Sequence, residues 1–478
     1  MSTQPPRPNL ILITTDQQRF DTIHRLGQQA VFTPNLDYLC DQGVAFTNAT
    51  ADCPICVPSR ATIMTGRHGF RQGLTANAAR DLMPYAEHPT LPGLLRQVGY
   101  QTRAIGKMHF HPMRAHYGFD HMELPYDYLR ERRRFGGPVE QPMAHGMSQN
   151  DTAPGFSTVP ENLSLTHWIA ERSAEFLATR DPTRPFFLWT SFTKPHPPLD
   201  CDPNYWALYG DIDLPSAVTD ADWHDGPSTL PAGFAQPTRM LNQLDTYRPD
   251  LVRAVRRAYY ASLTQVDYNL GLLLGGLREH GLLGNTWIVF TADHGEMLGD
   301  HHMAAKATFF AGSARVPMIV RPPSAPFADA TEAMGRRSDA LACLADVMPT
   351  FLSRAGVDLP EGIDGIDLMT QAGLADGPAR TRDQLPGRCG EQLMLQRGPL
   401  KATCAFHDPD ARLVFDVHED PYDQRDLLRA GRPEAAELMD ELLAFGREQE
   451  PQHQPEAHRP GWRWPGHHRT DHPCDVLH

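Results

Sequence analysis

The chain has 478 residues, 41% hydrophobic and 21% charged, which is room for one large α/β domain with a smaller one beside it. A net charge of −14, from 44 basic against 58 acidic side chains, argues against nucleic acid and anionic membrane as main partners and favours a small substrate over a long polyanion. The apolar run Leu10–Ile13 is too short for a signal-peptide core or a membrane span, so a cytoplasmic protein is expected.

Asn9 to Thr15 reads as a buried strand that ends in Asp16-Gln17-Gln18-Arg19. Open α/β sheets place ligands at the carboxyl ends of their strands, although a lone Asp there is also an ordinary turn or cap residue. Thr33-Pro34-Asn35 opens a short helix closed by Gly43, and Val44 to Phe46 starts another strand. Next comes Cys56-Val57-Pro58-Ser59-Arg60, with Pro58 in the first turn of a predicted helix and Gly66 as its stop. Such a helix puts the Cys56 side chain at an N-terminus, where unpaired N–H groups favour an anion, and puts Arg60 one turn on, on the same face. The plain alternative is a buried cysteine before a Pro-started helix. Of the eight cysteines only Cys53 and Cys56 form a Cys-x-x-Cys pair. A redox pair or half a zinc site is the other reading there, but no second pair supports zinc.

Pro89 to Val98 reads as a helix and Tyr100 to Gly106 as a strand that delivers Lys107-Met108-His109, both polar side chains pointing to one side of an extended segment. Residues 111–165 carry no sustained period and read as a surface excursion. Ser164 to Arg180 is a predicted helix, and Pro185 to Phe192 an apolar strand ending in Thr193-Lys194-Pro195-His196. After an irregular stretch at 200–248, the longest helix runs from Pro249 to His280. Trp287 to Thr291 is a further buried strand, ending Asp293-His294-Gly295-Glu296, where Asp and His beside a Gly suit metal ligation. Lys306 precedes Arg315-Val316-Pro317, a turn into another strand, and Ser338 to Ala355 is read as a helix. Leu393–Leu395, Ala402–Phe406 and Leu413–Val417 then read as short antiparallel strands before a last helix from Pro433 to Gln449. The tail from 451 is rich in His, Pro, Trp and Arg, a composition that fits an arm on another subunit or a metal scavenger.

The Cys56–Arg60 stretch closely resembles the Cys-x-Pro-Ser-Arg signature of the sulfatase family, within the alkaline phosphatase superfamily. Gly106-Lys107-x-His109, Lys194-Pro195-His196, Asp293-His294-Gly295, Lys306 and the segment Asp416–Leu427 extend the resemblance over most of the chain. It implies an α/β fold with a large, mainly parallel sheet between helices and a smaller C-terminal antiparallel sheet. The expected division is a catalytic domain over 1–375, a subdomain over 376–450 and a tail over 451–478. It also implies that a separate formylglycine-generating enzyme oxidises Cys56 to Cα-formylglycine. One hydroxyl of the hydrated aldehyde then attacks sulfur, and the other expels sulfate.

Matched position by position, the resemblance puts one divalent metal on Asp16, Gln17, Asp293 and His294. It gives Arg60 the hydrated nucleophile, Lys107 and Lys306 the sulfuryl oxygens, His109 the role of base, and His196 sulfate binding or protonation of the leaving alcohol. Lys194 receives no role. Asp16-Gln17 with Asp293-His294 departs from the commoner Asp-Asp and Asp-Asn pairs and resembles the choline sulfatase and phosphonate monoester hydrolase branch. An imidazole ligand shifts the expected metal from calcium towards manganese. Sulfate monoester hydrolysis is thus the leading expectation, with phosphonate monoester or phosphodiester hydrolysis and an inactive anion-binding relative behind it. The family also suggests a dimer or tetramer.

Overall fold

Along Asn9–Asp16 the apolar side chains alternate, Leu10 and Leu12 entering one core and Ile11 and Ile13 the other, and all four are fully buried. A strand buried on both faces belongs at the centre of a layered α/β fold. The computed structural model describes residues 7–77, 88–134, 136, 150, 152–234, 249–325, 331–375 and 380–449. Its main sheet is built from β1 (Asn9–Asp16), β2 (Val44–Phe46), β3 (Gln101–Gly106), β4 (His121–Glu123), β5 (Phe186–Pro195), β6 (Thr286–Ala292), β7 (Met318–Arg321) and β8 (Arg336–Ser338). Their order is β8-β2-β7-β6-β1-β5-β3-β4. The run β6-β1-β5-β3-β4 is parallel throughout, and β7 lies antiparallel to both β6 and β2.

Helices cover both faces. On one side α1 (Pro34–Asp41), α4 (Leu165–Thr179) and α5 (Pro249–Glu279) pack Leu36, Leu39, Ile169, Leu177, Leu270 and Leu274 against the sheet. On the other, α2 (Cys56–Thr65), α3 (Leu91–Gln97) and α6 (Val347–Ala355) contribute Ile63, Met64, Leu95, Val347 and Phe351. A four-stranded antiparallel sheet follows, β9 (Gln384–Cys389) to β12 (Arg412–Asp416) in sequential order, with α7 (Pro433–Gln449) packed on it through Leu438 and Leu442. The fold class expected from the family resemblance is therefore the one observed.

Several boundaries differ from the sequence reading. The helix expected over Ser338–Ala355 begins at Val347, because Ala342 and Cys343 pair with Ala49 and Thr50 in a short parallel ladder that outweighs local helix propensity. The stretch 111–165, read as irregular, contains edge strand β4 and a helix over Pro125–Arg134, while 135, 137–149 and 151 lie outside the described residues. Within 200–248, Pro203–Leu208 is helical and 235–248 lies outside the described residues, as does the tail 451–478. Among the described residues no helix is long and apolar enough to cross a membrane.

Candidate active site

Four adjacent parallel strands end at one edge of the sheet, each on or one position before a residue singled out in the sequence. β1 ends at Asp16, β3 at Gly106 before Lys107, β5 at Pro195 before His196, and β6 at Ala292 before Asp293. Helix α2 starts over the same edge. Ile55 is its extended N-cap, Cys56 its first residue, and Gly66 closes it in the left-handed region at φ 66°. The helix therefore starts two residues before Pro58, and Cys56 lies inside its first turn. Asn77 Oδ1 accepts from the Val57 N–H at 3.0 Å, and Ser59 Oγ donates to the Cys53 carbonyl at 2.7 Å.

The ligand-type atoms of Asp16, Cys56, Asp293 and His294 lie within 4.8 Å of one another, and all four residues are buried. Arg60 joins the two carboxylates. Its Nε donates to Asp293 Oδ2 at 3.0 Å, its Nη2 to Asp16 Oδ2 at 2.9 Å, and its Nη1 to the Lys107 carbonyl at 2.5 Å and Ser191 Oγ at 3.0 Å. Lys107 Nζ reaches Asp16 Oδ2 at 2.7 Å. Asp16 Oδ1 is buried and accepts no hydrogen bond among the described residues. A buried carboxylate oxygen beside an imidazole and a second carboxylate is what a cation site offers, so the donor set fits a divalent metal. His294 Nδ1 lies 2.9 Å from the Gly295 carbonyl, which directs its Nε2 towards Cys56 Sγ at 3.2 Å. Gly295 is needed there, because a Cβ would fall 2.0 Å from the Gly312 carbonyl oxygen.

Charge in the cluster follows from burial opposed by neighbours. Burial works against ionised Asp16, but the Lys107 ammonium, with the Arg60 guanidinium, outweighs it and holds the carboxyl well below its usual range. Asp293 moves the other way, raised by burial and then by Asp16, yet both its oxygens accept from N–H donors of Gln17, His294 and Arg60, the bonding of a carboxylate. We take it as ionised, since donors from these three residues, and no hydrogen-bond acceptor among the described residues, face it. Burial and Asp16 oppose a Cys56 thiolate, but Lys306, Lys107 and His294 win and bring the thiol down to about 6. Burial opposes a charged His294, and Asp293 and Cys56 overcome it, lifting the imidazole to about 9.

Lys306 extends from the loop after β6. Its Nζ donates to Gln17 Oε1 at 2.5 Å and lies 3.0 Å from His196 Nε2, whose Nδ1 is 2.7 Å from the Pro197 carbonyl. His196 is held well below its ordinary value by burial, then by Lys306 and Lys107. His109 is depressed likewise by burial, Lys107 and Arg60, so both imidazoles are neutral. The segment carrying Lys107 and His109 is a loop, and His109 has a left-handed backbone at φ 56°, so the two do not share one face of an extended strand. Lys194, given no role, turns away to Asp200 and the Pro198 carbonyl. Cys53 packs in an apolar cluster with Cys343 and Cys389, and the seven described cysteines are free, so no Cys53–Cys56 disulfide forms. Sequence reasoning missed Ser191 and Asn77, which carry no local signal, and assigned nothing to Glu296.

A family model described as Sulfatase matches residues 8–357. The chain is 32% identical over 391 residues to an arylsulfatase of Clostridium perfringens, covering 76% of this chain and 78% of that protein. It is 28% identical to a multifunctional alkaline phosphatase superfamily protein of Trinickia caryophylli, over 91% of this chain and 93% of that one. A choline-sulfatase of Rhizobium meliloti is 27% identical over 88% of this chain and 82% of its own length. Among solved structures, the phosphonate monoester hydrolase of Agrobacterium radiobacter shares the fold, with a TM-score of 0.75 at 23% identity over 94% of this chain and 96% of that one.

Proposed function

We propose, from the premise that this chain belongs to the sulfatase family and is a sulfuric ester hydrolase, that it cleaves small sulfate monoesters at the buried cluster around Cys56. The observation that carries this reading is the meeting of Cys56 with Asp16, Asp293 and His294, flanked by Arg60, Lys107 and Lys306. Asp16, Gln17, Asp293 and His294 would hold one divalent cation beside residue 56, which supplies Lewis acidity there when bound. Conversion of Cys56 to formylglycine by a maturation enzyme would supply a hydratable carbonyl, and so a nucleophile that can later expel sulfate.

The chain's own residues account for the rest. Two carboxylates balance a divalent cation, so Arg60, Lys107 and Lys306 leave the pocket positive towards a sulfate within an acidic protein. Arg60 is braced at five contacts and orients Asp16 and Asp293 together with the α2 N-terminus. Lys107 and Lys306 are ammonium donors aimed at sulfuryl oxygens. His109 is neutral and so able to take a proton at residue 56. His196 Nε2 faces Lys306 Nζ as an acceptor, so the proton for the departing oxygen is held between these two atoms.

The amide and imidazole donors of Gln17 and His294 favour a second use of the same pocket, on phosphonate monoesters or phosphodiesters, with manganese ahead of calcium. Free cysteines fit a reducing, cytoplasmic compartment, and a dimer or tetramer is the assembly to look for by light scattering. The test is aryl sulfate hydrolysis by metal-replete protein in which the Cys56 peptide mass shows formylglycine. Cys56→Ala should lower turnover by about 10³-fold or more. Undiminished turnover in that variant would refute the reading.

A further inference from the structure

Glu296 is a buried carboxylate that no step above uses, and its surroundings specify an orientation. One oxygen, Oε1, accepts from the backbone N–H groups of Leu298 (3.0 Å) and Ala305, and the other, Oε2, accepts from Gln17 Nε2. Both backbone N–H groups fall on Oε1, so Oε2 is the atom left to face the Gln17 side chain. The consequence falls on Gln17. A primary amide can be turned either way, but Lys306 Nζ on its other side can only donate, so the NH2 end is the one that meets Glu296. Its oxygen must then face Lys306 Nζ, at 2.5 Å. The Gln17 backbone is fixed as well. It holds a left-handed φ of 68°, unusual for a residue with a side chain, with its N–H on Asp293 Oδ1 at 3.0 Å and its carbonyl accepting from Tyr259 Oη at 2.6 Å.

We propose that Glu296 is a positioning residue of the active site, whose carboxylate fixes the polarity of the Gln17 amide so that Oε1, not the NH2, is presented to Lys306 and to the cation. The inference rests on the reading above in one respect only, that Gln17 is among the cation's ligands. Glu296→Gln is nearly isosteric but sets an NH2 against the Gln17 NH2. Either Gln17 turns over and offers N–H groups to Lys306 and the cation, or residue 296 turns and leaves the Leu298 and Ala305 N–H groups without an acceptor. Exchanging the two residues, Gln17→Glu with Glu296→Gln, keeps the net charge and reverses the hydrogen bond. Gln at 296 donates to Glu at 17 while still accepting from both backbone groups, and an oxygen again faces Lys306.

The experiment is Mn²⁺ binding by calorimetry on wild type, Glu296→Gln and the exchange variant, with kcat and KM on an aryl sulfate and, on metal-free protein, the NMR signals of the Gln17 side-chain amide. Glu296→Gln should weaken Mn²⁺ binding by about 10- to 100-fold and lower kcat more than it raises KM. The exchange should restore affinity to within a few-fold of wild type. In metal-free wild type the Gln17 amide protons should exchange slowly with solvent, and in Glu296→Gln rapidly. Wild-type affinity in Glu296→Gln, an exchange variant no better than the single one, or Gln17 amide protons that stay slow in Glu296→Gln would overturn the proposal; because the exchange also adds a carboxylate beside the cation, the amide exchange rates are what separate positioning from a merely structural role. If wild type itself bound no Mn²⁺, the metal reading would fall, and the amide exchange rates would still decide the orientation.

Discussion

Replacing Arg60 by Met keeps most of the side-chain volume and removes one fully buried charge from between two others. Asp16 Oδ2 keeps Lys107 Nζ at 2.7 Å, but Asp293 Oδ2 loses the guanidinium donors that face it at 3.0 Å. Breaking a buried ion pair by removing one partner costs about 3–5 kcal/mol, because the other charge is left uncompensated. Unfolding entropy of roughly 2.1 cal/mol/K per residue, over 478 residues, makes that a fall of about 3–5 °C in Tm for the metal-free protein. Adding Mn²⁺ should narrow the gap. The cation compensates the same two carboxylates and no longer meets the guanidinium charge, so it raises the Tm of the variant more than that of wild type. The assay is calorimetric melting of both proteins, metal-free and at saturating Mn²⁺. A metal-free Tm within about 1 °C of wild type, or a gap that widens on adding Mn²⁺, would refute the reasoning.

Two further predictions are independent of that one. Lys306→Met should cut kcat on an aryl sulfate by about 10²- to 10³-fold with a smaller change in KM, the signature of a donor that matters most in the transition state; a raised KM with kcat unchanged would place Lys306 in ground-state binding instead. Away from the site, His301 lies in a chain of contacts, with Nδ1 3.3 Å from His224 Nε2 and Nε2 3.0 Å from the Tyr422 carbonyl, and burial, against a smaller opposing pull from Asp300, lowers it from 6.5 to about 4. A histidine held neutral in the folded state gives its full stability above 6.5 and loses it as pH falls towards about 4, a span worth about 3 kcal/mol. His301→Gln should therefore flatten the fall in Tm between pH 6.5 and pH 4, and an unchanged slope would count against the cause given.

The parts of the fold legible in the sequence are those where one physical signal dominates. Leu10–Ile13, Phe186–Trp189 and Ile288–Phe290 are continuous apolar runs of strand length, as a strand buried on both faces requires, and each passes abruptly into polar residues at the sheet edge. The long helix at 249–279 and the last at 433–449 show their periodicity and their proline starts plainly. Strand β9 was missed because Pro386, Gly387 and Arg388 interrupt any alternation, and β8 because Arg336-Arg337-Ser338 is an exposed edge with no apolar side. The candidate site was legible residue by residue, at strand ends and a helix start, but its wiring was not. That Gln17 meets Glu296 across 279 positions, or that Arg60 meets Ser191 across 131, is settled by strand order, which no local pattern encodes.

The most direct test of the central claim is a ratio of catalytic efficiencies. One Mn²⁺-replete preparation, with formylglycine at residue 56 verified by peptide mass, is given an aryl sulfate and an aryl phosphonate monoester side by side. The account predicts that kcat/KM is higher for the sulfate and that Cys56→Ala abolishes both activities. A higher kcat/KM for the phosphonate would contradict it, leaving the fold and the cluster in place but assigning them to phosphorus.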